Sequence, residues 1–123
     1  MEASCSQFIE KLMKTSNFLE KIGQKTLEYW EPDIPPVTIF FAAIGKELAC
    51  RFDSIGTESK MTVFDLIEEG MNSTDNDLRI AVATGIIEAL VSVASTNREL
   101  RKKIESQLGT MSKRHADAWS SFH

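Results

Sequence analysis

With 123 residues, 42% of them hydrophobic and 26% charged, the chain has the make-up of one folded domain with its own core, not of a disordered segment. A formal net charge of −4 argues against a nucleic-acid binder, which needs a basic face to neutralise phosphates. The longest apolar run, IFFAAIG, is far shorter than the roughly 18 to 20 residues that cross a bilayer, so no membrane partner is expected.

The opening residues MEASCSQFIEK carry no basic stretch ahead of an apolar one. No secretory signal is therefore expected, and the cytoplasm is the expected location. Cys5 and Cys50 have no ligand-like spacing and read as thiols in a reducing compartment. SQFIEKLMKTSNFLEKIGQKTLEYW reads as a first helix, with Phe8, Leu12, Leu19 and Ile22 on one face and Ser4 or Ser6 as its cap. Lys11, Lys14, Lys21 and Lys25 mix with Glu10, Glu20 and Glu28 on the other face.

EPDIPP breaks the pattern, because Pro32, Pro35 and Pro36 favour an extended connection into a new helix. That helix, PVTIFFAAIGKELACRF, gathers Val37, Phe40, Phe41, Ile44 and Leu48 on one arc. DSIGTESK reads as a loop and TVFDLIEEGMN as a short helix capped by Thr62, with Val63, Phe64, Ile67 and Met71 inward. NSTDND is turn chemistry leading into a helix from Leu78 to about Ser95. TNRELRKKIESQLG spaces Leu100, Ile104 and Leu108 for another helix, with Gly109 as its stop, and SKRHADAWSSF closes the chain as a last short one. No strand periodicity or repeat is present. The expected fold is all-α: a single domain, residues 1–123, of five or six mostly antiparallel helices.

The stretch RIAVATGIIEALVSVAS is almost wholly apolar and carries one carboxylate, Glu88, near its middle. On a wheel of 100° per residue, Leu78, Val82, Ile86, Ala89, Leu90 and Val93 share one side, and Ile80, Ile87, Val91 and Ala94 widen it. Glu88 falls on the remaining stripe with Asp77, Ala81, Thr84, Ser92 and Ser95. So broad an apolar arc marks the central helix of a bundle. Its glutamate should reach solvent through a slot or pair with a base from a neighbouring helix, since an ionised carboxylate alone in a dry core costs several kcal/mol.

No residue pattern names a reaction. There is no zinc, calcium or di-iron ligand spacing, no phosphate-cradling glycine loop and no nucleophile motif, and His115 and His123 are the two histidines of the chain. His115 lies four residues before Trp119, so on a helix the two rings can touch, and a packed or surface imidazole explains it. The expectation is no enzyme, no metal and no cofactor.

Charge is unevenly placed. From Asp53 to Asp77 there are seven acids against Lys60, and from Arg98 to Arg114 six bases against Glu99 and Glu105. Asp65, Glu68, Glu69 and Asn72 share the face opposite Phe64 and Ile67. Like charges at such spacings cost about 0.2 to 0.5 kcal/mol per pair. A solvated face, or a clasp onto the basic segment, accounts for these acids; so does a surface kept for a basic partner. The candidate partner-binding residues are Asp65, Glu68, Glu69, Asp75 and Asp77, with Glu31 and Asp33 as a second rim.

VFDLIEEGMNSTDNDLRIAVATGIIEALVSVAS followed by LGTMSKRHADAW resembles a bacterial family of small helical proteins. The likeness rests on Phe64, Glu68, Asp75, Asp77, Gly85, Glu88, Ala89, Leu90, Leu108, Gly109, Ser112, Arg114 and Trp119 in order, over Val63 to Phe122. Thr110 stands where the family pattern has proline. The resemblance implies an immunity protein of interbacterial competition, of the contact-dependent inhibition type, whose partner is the C-terminal domain of a cognate secreted toxin. Many such toxins are nucleases with basic clefts. The alternative is a helical adaptor or regulatory module that docks a peptide or subunit and has no toxin partner.

Overall fold

The computed structural model describes residues 3–122, and all the regular structure in them is helical. Among the described residues there are seven helices: α1 Ala3–Met13, α2 Asn17–Trp30, α3 Val37–Cys50, α4 Thr57–Met71, α5 spanning 76–94, α6 Arg98–Gln107 and α7 Thr110–Phe122. A 3₁₀ turn, Phe52–Ser54, joins α3 to α4. The all-α class is as expected; the helix count is higher, and His123 lies outside the described residues. No helix among them is long and apolar enough to cross a membrane.

The extra helix comes from the first segment, which is two helices and not one. The Thr15 hydroxyl donates to the Leu12 carbonyl at 2.6 Å, and the Ser16 side chain caps α2 by accepting from the Leu19 N–H at 3.2 Å. Hydroxyl side chains that bond the backbone in this way end one helix and start the next. The apolar positions are nonetheless those expected, with Phe8, Leu12 and Leu19 buried and Ile22 half-buried. Because α1 begins at Ala3, Ser4 and Ser6 lie inside its first turns and do not cap it.

Two other boundaries move. Helix α4 starts at Thr57 after Gly56, so Thr62 is an interior residue whose hydroxyl donates to the Glu58 carbonyl at 3.0 Å. Gly109 does not stop α6 in a left-handed conformation, since no described glycine has positive φ. It immediately precedes the first residue of α7, and its carbonyl accepts from Lys113 at 2.9 Å.

Helix α5 is the centre of the bundle. Ala81, Val82, Ile86, Ile87, Leu90, Val91 and Ala94 are all buried, and α3, α4, α6 and α7 all pack on it. Between Val82 and Ile87 it widens to π geometry, with the Glu88 N–H donating to the Ala83 carbonyl five residues back. Such a widened turn changes the phase of the helix. A single wheel places Ile80 in the apolar arc and Ala81 on the polar stripe; the structure leaves Ile80 exposed and buries Ala81.

Helices α3 and α5 meet backbone to backbone through two glycines. A methyl group on Gly85 would lie 2.5 Å from Phe41 Cβ and 3.1 Å from the Thr38 carbonyl oxygen; one on Gly45 would overlap the Ile86 carbonyl. Thr38 and Phe41 thus lie at Gly85, Gly45 at Ile86 and Ala89, and Ala49 and Cys50 against Asn97 and Lys103 beyond the end of α5. The two central helices run in the same sense. Antiparallel neighbours are expected where connections are short. Here α4 makes the return journey, so the chain starts α5 at the end where it started α3.

Candidate protein-docking surface

That shared sense decides where the acids stand. The connections entering α3 and α5, residues 31–36 and 72–75, lie at one end of the bundle. From Thr26 to Gly45 the chain has Glu28, Glu31 and Asp33 and no Lys, Arg or His. From Met61 to Leu78 it has five acids and again no base. Among the described residues, Glu31, Asp33, Asp65 and Asp77 are exposed and form no ion pair. Arg79 turns back on its own turn, donating to the Ser73 carbonyl at 3.0 Å and to Asn76.

Glu69 is exposed but pairs with Lys11 of α1 at 3.2 Å, on the rim of a groove of about 480 Å³ that it shares with Gln7, Asn72 and Thr74. An exposed pair of this kind contributes about 0.2 to 1 kcal/mol, so its carboxylate remains available to a stronger partner. The clasp between acidic and basic segments exists elsewhere. Lys103 of α6 reaches Asp53 at 3.0 Å, while Arg101 bonds Glu105 at 2.7 Å and lies 3.9 Å from Asp117.

Asp75 has a local duty. Its side chain accepts from the Leu78 N–H at 3.1 Å as the N-cap of α5. That N–H, and after it the nearby Ser4 hydroxyl, holds the carboxyl below the ordinary aspartate range. The Ser4 hydroxyl is buried and makes no hydrogen bond of ordinary geometry.

Glu68 does not belong with the outward acids. It is half-buried and turned onto the N-terminus of α7. One carboxylate oxygen accepts from the Ser112 N–H at 2.9 Å and the Ser112 hydroxyl at 2.7 Å. The other accepts from the Met111 N–H and the Asn72 amide, both at 2.9 Å. Gly109 offers no capping side chain, and a methyl group there would lie 2.7 Å from Glu68 Oε1. Glycine at 109 lets a carboxylate from another helix act as the cap. Burial alone would raise the pKa of Glu68, but these hydrogen bonds outweigh it and hold the carboxyl below its ordinary range.

Glu88 finds the base that the wheel called for. Its Oε2 lies 2.9 Å from His115 Nε2 on α7, with the two side chains 23% and 29% exposed. A carboxylate that orients an imidazole is also half of a catalytic constellation, which needs a nucleophile and room for substrate as well. Neither residue lines the described grooves. No group of three or more His, Cys, Asp or Glu among the described residues could hold a metal ion.

The residue pattern did not single out the exposed apolar side chains. Tyr29 is 87% exposed and Ile34 70%, on either side of the turn in which the Asp33 N–H donates to the Trp30 carbonyl at 2.8 Å. A second apolar feature is a groove of about 470 Å³ between α1 and α2, lined by Ile9, Met13, Gly23, Leu27 and Phe40. Comparison with protein-family models, curated proteins and solved structures finds no match to this chain.

Proposed function

We propose that the protein is a stoichiometric inhibitor: an immunity protein that binds a cognate secreted bacterial toxin domain in the cytoplasm and occludes its active site. In this reading it makes and breaks no covalent bond. The observation that supports it is the set of exposed acids without an ion pair among the described residues, Glu31, Asp33, Asp65 and Asp77, on two stretches of chain, 26–45 and 61–78, that contain no base. The likeness of the C-terminal half to small helical proteins of the toxin-immunity type points the same way. A nuclease is the toxin class whose basic cleft such a surface would match, and opposite potentials speed encounter by factors of 10 to 10³.

A rescue assay tests the reading. Expressing the C-terminal domain of the secreted protein encoded beside this one should arrest growth, and co-expressing this chain should restore it. Undiminished arrest would end the proposal. The acids that serve the fold, Glu68 and Asp75, are left out of the charge test. With Asp65, Glu69 and Asp77 all replaced by lysine, association with the toxin domain should slow about 10- to 100-fold at low salt and lose most of its salt dependence. Rates measured across a salt series would remove these residues from the interface if they matched wild type.

The apolar groove between α1 and α2 favours a second reading, a helical adaptor that docks a peptide. It predicts a host complex with no toxic component and no growth rescue.

A further inference from the structure

We infer that the connection between α2 and α3, from Leu27 to Ile39, is the anchor by which the protein docks, with Tyr29 and Ile34 entering apolar sockets on a basic protein surface. The inference rests on the binding reading above and names the surface that carries it. Folded chains leave single apolar residues in water without consequence, but here Leu27, Tyr29, Ile34 and Ile39 are all exposed within thirteen residues. Tyrosine offers a large rigid contact with few torsions to freeze and is enriched among the residues that dominate interfaces.

The connection is also held ready. Glu31 N–H donates to the Glu28 carbonyl at 3.2 Å, and Asp33 N–H closes on Trp30. Pro35 is buried, Pro36 leads into α3, and each proline has its φ fixed in advance. A segment ordered before binding loses little conformational entropy on docking.

Charge identifies the occupant. Glu28, Glu31 and Asp33 alternate along the chain with the exposed apolar residues, and no Lys, Arg or His occurs from Thr26 to Gly45. Asp75 and Asp77 stand at the same end of the bundle. A second copy of this chain is disfavoured, because a two-fold contact would bring Glu31 and Asp33 of both copies together. A membrane is disfavoured too, since anionic headgroups would meet the same carboxylates. A protein surface with lysines and arginines around apolar sockets fits both features.

The test uses the full chain and the purified C-terminal domain of the secreted protein encoded beside it, with affinity and rates read by surface plasmon resonance. Tyr29→Ala with Ile34→Ala should weaken binding about 100-fold, mainly through faster dissociation. Met61→Ala removes another exposed apolar residue, from α4, and should change affinity less than 2-fold. Ile34→Ser alone, expected to cost at least 5-fold, replaces the double variant if thermal melting shows the latter unfolded. If wild type binds and the Tyr29 and Ile34 variants bind as well, the inference fails while the inhibitor reading stands. If wild type does not bind, both fail. Sedimentation that shows a wild-type dimer dissociated by these same substitutions would also overturn it.

Discussion

Gly45→Ala and Gly85→Ala should each destabilise the protein by about 1 to 3 kcal/mol, the cost of overfilling a close-packed core. The sign is opposite to the usual one, since alanine is the better helix former by roughly 1 kcal/mol. Each glycine here is the point of contact for another backbone. A methyl group on Gly45 would overlap the Ile86 carbonyl and sit 3.0 Å from Ala89 Cβ, and one on Gly85 would press on Phe41 Cβ. These are a backbone carbonyl and two Cβ atoms, which move only if α3 and α5 separate. Separation would loosen the packing around Phe41, Ile44 and Ile86, all fully buried. Gly56 is the packing control, because a methyl group there meets nothing within 4 Å; as it is the N-cap of α4, its replacement by alanine should cost only about 0.5 to 1 kcal/mol. Urea melts of the three variants measure this. A Gly45→Ala protein as stable as wild type would mean that the two helices are not in backbone contact.

Glu68→Ala should cost about 2 to 3 kcal/mol, combining the loss of a helix cap with the loss of several hydrogen bonds to a charged group. Glu68→Gln should cost less, because the amide oxygen still accepts from one side of the α7 terminus. The two are also separated by pH. The carboxyl of Glu68 is held below its ordinary range in the folded state, so the unfolded chain takes up its proton first as pH falls. Its stabilisation is fully present above the ordinary glutamate value of about 4.3 and is lost as pH drops through the lower folded-state value. Denaturation curves from pH 6 to pH 3 should therefore show a shallower acid loss for Glu68→Gln than for wild type. Parallel curves would mean that Glu68 does not change its protonation on folding. Ser112→Ala, which removes one of the four hydrogen bonds and leaves the two backbone donors, should fall between wild type and Glu68→Ala.

Much of this fold was legible in the sequence because burial follows periodicity. Phe40, Phe41, Ile44 and Leu48, and Val63, Phe64, Ile67 and Met71, are inward as their spacing requires. What periodicity could not show is where a helix changes phase or stops. The break at Thr15 and Ser16 keeps the apolar spacing on both sides, so the pattern runs across it. The widened turn in α5 is made of Val82, Ala83, Thr84, Gly85, Ile86 and Ile87, and nothing in their order reports a carbonyl bonded five residues on. The same-sense pairing of α3 and α5 depends on Gly45 meeting Ile86 and Ala89 and on Gly85 meeting Thr38 and Phe41, a fact of distant positions.

The surface was harder to read for a similar reason. Asp65, Glu68 and Glu69 look alike in sequence, yet Glu68 spends its charge on α7, forty-odd residues later, where Gly109 leaves room for it. Glu88 falls on a narrow stripe by its spacing, but which base it meets, His115 of α7, is set by how two helices far apart in the chain pack together. Tyr29 and Ile34 continue a plausible apolar pattern and gave no sign that they face solvent.

The wide turn at 82–87 also bears on how the gene can change length. An α-helix that loses a residue turns everything beyond the loss by about 100°, which in a buried helix would tear the core apart. Here the chain already holds one residue more than regular winding needs. Deleting exposed Thr84 would let the hydrogen bonds close at four residues instead of five, with both flanks of the helix keeping their present bearings. The most deeply enclosed element of this molecule thus has a built-in tolerance for a shortened reading frame that its neighbours lack.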